Sequence, residues 1–176
     1  GYMPSACDWR SNREVISMLG TCAGFNGNLL LNIGPAPDGS VPEEAKIRLK
    51  TIGKWTAKHG EAMYGDVDRI DVNGLEWMPV QCGWSIKRKS LYWWVKNWPG
   101  NDELTIGGLK TRVTRITNLT TGKRIAFNQS GPRLVMRGLP KTCPDKIAEI
   151  TVFKLTCAST PCQELGGGCV ILPKRK

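Results

Sequence analysis

Catalysis needs proton carriers, nucleophiles or metal ligands within reach of one another, and this chain offers few of them. It carries 15 acidic residues and 1 histidine among 176 residues. Glu43 and Glu44 follow Ser40 at the spacing of a capping box, which puts both carboxylates in a first helical turn, where negative charge favours the helix dipole. Asp66, Asp68 and Asp71 read as a linker turn, because a hard-cation loop takes more oxygen ligands at a patterned spacing. Glu61 stands just past the expected helix stop at Gly60 and reads as structural. Any Ser-His-Asp or Cys-His device would have to use His59. Its place at a helix end among lysines predicts a surface histidine, whose cation the helix C-terminus favours. Gly166-Gly167-Gly168 lacks the Lys-Ser/Thr that would hold phosphate and magnesium. No metal, no organic cofactor and no catalytic residue is therefore assigned within the chain.

Other residue types leave binding chemistry open. Trp84, Trp93, Trp94 and Trp98 have flat rings that suit the apolar face of a pyranose, yet large aromatics also dominate buried area in small domains. We expect most of them in a core or seam, and keep Trp98, beside Pro99-Gly100-Asn101, as a candidate sugar contact. Seven cysteines cannot all pair internally; Cys143, Cys157, Cys162 and Cys169 could pair if the chain is exported, whereas Cys22 falls on a helical stripe as a small hydrophobe. Asn118-Leu119-Thr120 and Asn128-Gln129-Ser130 are acceptor sequons that fit a secreted or lysosomal setting. A net charge of +10 is concentrated locally at Lys87-Arg88-Lys89 and Lys174-Arg175-Lys176. With no reader motif and no basic aromatic platform, it predicts scattered solvated charge rather than nucleic-acid binding. Neither a leader nor a membrane-spanning stretch is legible.

Two kinds of element must position these residues. Ser11-Asn12-Arg13-Glu14 has capping-box spacing, and Val15, Met18, Leu19 and Cys22 form a stripe, predicting one helix. Leu29 to Ile33 is a short apolar run of the kind found in a parallel strand covered on both faces. Pro35 and Pro37-Asp38-Gly39 then turn the chain into a second helix with Ala45, Leu49, Ile52 and Trp55 on one side and Lys46, Lys50, Lys54 and Lys58 on the other. A lone α-β-α unit cannot cover its own strand, so residues 1–65 read as the last piece of a larger (β/α)8-like barrel, with the rest before Gly1 and poor solubility expected for this piece alone. After Asp66 the texture changes to short β-branched and aromatic runs divided by Gly, Pro or Asn. They lie near Trp77–Cys82, Ser90–Trp98, Glu103–Ile106, Arg112–Leu119, Lys123–Phe127, Arg133–Met136 and Ile147–Leu155. That spacing predicts an antiparallel β-sandwich over residues 66–157, with the apolar 91–95 run central, and a Cys/Gly-containing basic tail at 158–176.

At these residues the chain resembles a known family. Gly1-Tyr2, Gly27-Asn28-Leu29-Leu30-Leu31-Asn32-Ile33-Gly34-Pro35, Asp38-Gly39, Pro42-Glu43-Glu44-Ala45, Ile52-Gly53-Lys54-Trp55 and Gly60-Glu61-Ala62-Met63-Tyr64-Gly65 look like the carboxy-terminal part of an α-L-fucosidase of glycoside hydrolase family 29. Weaker matches continue through Leu91-Tyr92, Trp98-Pro99, Glu103-Leu104, Gly108-Leu109 and Ile147-Ala148. His59 replaces the family's usual Asn, Phe25-Asn26 interrupts a commoner Gly-Gly-Asn, and the tail from Ala158 matches nothing in the pattern.

The resemblance implies a glycosidase that releases terminal L-fucose from glycans with retention, through an Asp nucleophile and a Glu acid/base about 5–5.5 Å apart. Both carboxylates would lie upstream of Gly1, leaving this chain inactive by itself. Tyr2 falls in the family's Trp-Gly-Tyr turn beside the sugar, so Tyr2 joins Trp98 as a candidate substrate-binding residue. Implied partners are fucosylated glycans, with neither nucleic acid nor membrane, an oligomer left open, and a secreted, periplasmic or lysosomal setting. The alternative is a stand-alone carbohydrate- or partner-binding sandwich module.

Overall fold

Ser11 heads the first described helix as its spacing predicts. Its hydroxyl accepts from the Glu14 amide while the Glu14 carboxylate accepts from the Ser11 amide, closing a capping box at the head of α1, Asn12–Gly24. In this computed structural model, residues 8–25, 27–67 and 82–162 are described, the side chains of 82 and 83 excepted. The second helix, α2, runs Glu43–His59 and passes into a single 3-10 turn, Gly60–Ala62.

Its cap differs from expectation. Pro42 is the N-cap residue and no side chain caps the helix; the Asp38 carboxylate instead accepts from the Ser40 amide at 2.9 Å, spending that segment's polar groups on a local turn. The Leu29–Ile33 run is likewise not a strand. A strand exists through its ladder, and no described strand lies beside this run to supply one. Leu30 is left 85% exposed.

Among the described residues seven strands follow: β1 Cys82–Lys87, β2 Ser90–Val95, β3 Glu103–Ile106, β4 Val113–Asn118, β5 Ala126–Ser130, β6 Arg133–Arg137 and β7 Thr151–Cys157. They form two antiparallel sheets, β1-β2-β7-β4 and β3-β6-β5. Between them lies a core that includes Trp84, Leu91, Trp93, Ile106, Ile116, Leu134, Met136, Phe153 and Leu155. The β2 strand is central and covered on both sides, as its unbroken apolar sequence predicts. Leu91, Trp93 and Val95 face the sandwich core, while Tyr92 and Trp94 face the helices.

Two expected strands moved for identifiable reasons, and β1 was not expected at all. Residues 123–125 fold back on β4, where the Ile125 amide donates to the Ile116 carbonyl and Arg124 bridges Thr117, so β5 begins only at Ala126. The 147–150 stretch is held instead by the buried Asp145 carboxylate, which accepts the amides of Ile147, Ala148 and Ile150, and Glu149 takes a φ of 56° that no strand accommodates. The β1 strand enters a hairpin through Arg88-Lys89, with Arg88 at φ 54°, a turn that lacks the usual Asn-Gly signal. The expected strand at 77–82 lies outside the described residues except at Cys82.

Helix α1 shows two apolar sides rather than one. Val15, Ile16, Gly20 and Ala23 are buried, with Ile16 and Ala23 in the cluster against the four-stranded sheet. Of the expected stripe Val15 is buried, whereas Met18, Leu19 and Cys22 are only half-buried, Met18 and Cys22 on another side of the helix beside Leu29. Gly20 sets the helix-to-sheet distance, because a Cβ there would stand 2.6 Å from the Trp94 ring.

Candidate functional site

The densest polar chemistry lies where the helices meet the four-stranded sheet. His59 is completely buried there, contrary to the surface position its lysine-rich helix end predicts. Its ring stacks on Trp55 at 4.0 Å between centroids. Because a carbonyl only accepts, the 2.8 Å contact of Nδ1 with the Trp55 carbonyl places the proton on Nδ1. The Nε2 then accepts from the Thr120 hydroxyl at 2.9 Å. Burial lowers the His59 pKa from its ordinary value, outweighing the Trp55 hydrogen bond that opposes the shift. A neutral, doubly hydrogen-bonded imidazole of this kind holds two elements together.

Around it the seam is closely bonded. The Trp55 indole donates to the Ile150 carbonyl at 3.2 Å, and the Trp94 indole donates to Ser85 Oγ, which donates to the Ala62 carbonyl at 2.6 Å. Arg13 donates to the carbonyls of Ala148, Glu149 and Lys96 and to Asn97 Oδ1, and Lys96 Nζ returns to the Ser17 carbonyl and Thr21 Oγ1. Glu61 accepts from Lys154 Nζ and from Tyr92 Oη. Burial first and the Glu61 charge second raise the Tyr92 pKa. Lys154 is also raised: burial pulls it down, but the Glu61 hydrogen bond and the neighbouring charges together outweigh it.

Several other carboxylates have structural partners. Glu43 and Glu44 pair with Lys46 and Arg48, Asp66 lies 3.8 Å from Arg88, and Glu103 pairs across the sheet with Arg137. Asp68 and Asp71 lie outside the described residues, as do Tyr2, Cys169 and the Gly166–Gly168 run. Among the described residues no group of three or more His, Cys, Asp or Glu side chains could hold a metal. Cys143 and Cys157 do not pair; both are buried thiols, Cys143 against Thr151 Oγ1 at 3.3 Å, and burial pushes Cys157 up to about 11.

The tryptophans divide as core and seam. Trp84 and Trp93 stack in parallel 5.2 Å apart inside the sandwich, and Trp94 meets Trp55 at the seam. Trp98, half-buried, stacks on Phe153 at 6.1 Å and donates its indole N–H to the Pro140 carbonyl at 2.8 Å. It edges an open groove shared with Arg13, Asn97, Lys141 and Glu149. Sequence reasoning missed the Arg13 and Asp145 anchors, since a lone Arg or Asp in a polar stretch carries no periodic signal.

A second groove, of about 230 Å³, opens on the far side of the helices between Trp9, Leu31, Ile33, Ala45, Leu49 and Ile52. A more open one beside it involves Met18, Cys22 and Leu29. Leu31 and Ile33 are each 38% exposed and Leu49 41%.

These elements define a β-sandwich bonded through one sheet to a helical layer whose other side is apolar and open. The description of the matching family model is α-L-fucosidase, and it covers residues 1–61. An α-L-fucosidase of Branchiostoma floridae is 31% identical over 128 residues, covering 70% of this chain and 28% of the relative. The tissue α-L-fucosidase of Homo sapiens is 28% identical over 142 residues, covering 80% and 30% respectively. Among solved structures, α-L-fucosidase isoenzyme 1 from Paenibacillus thiaminolyticus superposes with a TM-score of 0.79 at 25% identity, over 90% of this chain and 37% of that one. The Thermotoga maritima α-fucosidase in complex with fucose does so with a TM-score of 0.67 at 25% identity, over 89% and 37%. The chain corresponds to the carboxy-terminal portion of the α-L-fucosidases of glycoside hydrolase family 29. It spans about 30% of the length of these curated relatives.

Proposed function

We propose that this chain serves as the carboxy-terminal part of a longer retaining α-L-fucosidase that releases terminal L-fucose from glycans. In this reading residues 1–65 are the closing α-β-α unit of a (β/α)8-like barrel, residues 66–157 the sandwich that braces it, and residues 158–176 a basic tail. The nucleophile and the acid/base carboxylate come from barrel segments on the amino-terminal side, so the chain by itself is inactive. Tyr2 would lie nearest the sugar, and no cofactor enters the reaction. Passage through a secretory or lysosomal route accords with relatives named for plasma and tissue.

The observation that carries this reading is the two-sidedness of the helical layer. One side, with Ile16, Ala23 and Trp55, is buried on the sandwich. The other, with Leu31, Ile33, Leu49 and the half-buried Met18 and Cys22, is open, and the strand-like 29–33 run beside it has no ladder. Barrel strands supply what both lack: a partner for the backbone of 29–33 and cover for the apolar side chains. Amide hydrogen exchange tests it. Residues 29–33 should exchange freely in this chain and slow by orders of magnitude within the longer protein; equal exchange in both would refute the strand assignment.

A stand-alone carbohydrate-binding module is the second reading, favoured only by the half-exposed Trp98 at the Arg13 and Lys141 groove. Trp98 would then be its sugar contact.

A further inference from the structure

We propose that Asn128 is an N-glycan attachment site and that the other sequon, at Asn118, stays unmodified in the native protein. The two tripeptides are equivalent as sequence and opposite as structure.

Asn128 lies in β5, which among the described residues pairs only with β6 and so forms an outer edge of the three-stranded sheet. Residues of β5 alternate between exposed and half-buried, with Ala126, Asn128 and Ser130 exposed. What fixes that alternation is the middle residue of the sequon. Gln129 turns inward: its carbonyl oxygen accepts from the Val113 amide at 2.8 Å, and its nitrogen donates to the carbonyls of Leu109 and Thr111. With Gln129 and Phe127 held on the core side, Asn128 and Ser130 must point to solvent. Ser130 pairs directly with Arg133 across the two-residue Gly131-Pro132 turn, so the acceptor sits two residues from a hairpin tip. Opposite Asn128 stands Val135, and beyond it Thr105, both on the outer face of the sheet. The first sugars would lie over this half-exposed face between Arg133 and Arg137.

Asn118 is 2% exposed. Its side-chain oxygen accepts the amides of Thr120 and Thr121, and its backbone exchanges hydrogen bonds with Lys123 and Gly122 in the turn after β4. The Thr120 hydroxyl of that sequon is engaged with His59. A sugar on Asn118 would have to displace the turn from the seam, so a chain modified there could not reach this fold.

The transfer at Asn128 is a substitution without redox change. The carboxamide nitrogen bonds to C1 of the reducing-end sugar of a lipid-linked oligosaccharide diphosphate. The C1–O bond breaks, the lipid diphosphate leaves with the electron pair, and the amide gives up one proton to the transferase. A glycan there would also shield the β5 edge, which no described strand pairs, from another chain. The inference rests on the secretory reading, so the test imposes the route. The full chain is expressed behind a secretory leader in cultured eukaryotic cells. Material from cells and medium is compared before and after peptide-N-glycosidase, with mass spectrometric mapping of the Asn-to-Asp conversion. One glycan increment is expected, mapping to 128 and not 118, and absent from both Asn128→Gln and Ser130→Ala. Absence of the increment, its persistence in Asn128→Gln, or conversion at 118 in folded protein would overturn the assignment. Hydrolase assays on the longer protein are independent of every one of these outcomes.

Discussion

The imidazole of His59 lies stacked on the indole of Trp55 one helical turn before it, 4.0 Å between ring centroids, and bonds across the seam to Thr120. This pair joins the last turn of α2 to the loop after β4. It therefore makes the docking of helix on sheet sensitive to the charge of a single ring.

Stability should fall with acidity through His59. Its folded pKa lies below the ordinary 6.5, so the unfolded chain binds the proton more readily. The contribution is fully present above about pH 6.5 and is lost as pH falls from there toward the folded value. Asp145 lies near enough to oppose this shift and Lys58 to support it. Melting temperature measured from pH 7.5 to 5 should drop more steeply for the native chain than for His59→Asn, which has no titrating ring. Parallel curves would show that His59 does not set the slope.

Two glycines in helices should respond oppositely to Ala. Gly20→Ala gains about 1 kcal/mol of helix propensity but drives a methyl into the Trp94 ring, 2.6 Å away, at a cost of about 1–3 kcal/mol. The clash wins because Trp94 is fully buried and cannot move aside. Gly53→Ala meets nothing within 4 Å and should stabilise by about 0.5–1 kcal/mol. Urea unfolding of the two variants checks both signs.

Asp145→Ala should cost about 2–3 kcal/mol or more. It leaves three amides, those of Ile147, Ala148 and Ile150, without their acceptor in a buried loop. The loss should appear in denaturant midpoint and in faster exchange of those amides.

Trp98 separates packing from sugar contact. Trp98→Phe keeps a ring against Phe153 and gives up the bond to Pro140, a loss of about 1 kcal/mol. Trp98→Ala removes both, yet should cost less than the ~3–5 kcal/mol of a fully buried aromatic. Retention on a fucosylated glycan column should be unchanged in Trp98→Phe and weakened in a folded Trp98→Ala if the ring touches sugar; unchanged retention in both would leave packing as its duty.

Much of this fold was legible in the chain. The Ser11 cap, the antiparallel sandwich and the central, doubly covered β2 all follow from local spacing that tertiary contacts reinforce. What escaped depends on partners distant in sequence. His59 is buried because Thr120 and the sheet come to it, Ile147 to Ile150 are drawn out of β7 by Asp145, and 29–33 carries a strand's sequence without a strand's neighbours. For the site, the family was legible through the Gly27–Pro35 and Gly60–Gly65 motifs. The sequence could not reveal which sequon faces water, since that turns on the hydrogen bonds of Gln129 and Asn118.

Hydrolysis of a chromogenic aryl α-L-fucoside, measured on this chain and on a longer protein that contains it, decides whether these residues act as one part of a hydrolase. The longer protein should release fucose, and these 176 residues alone should release none above background. Turnover by the chain itself, or none by a folded longer protein, would contradict that role.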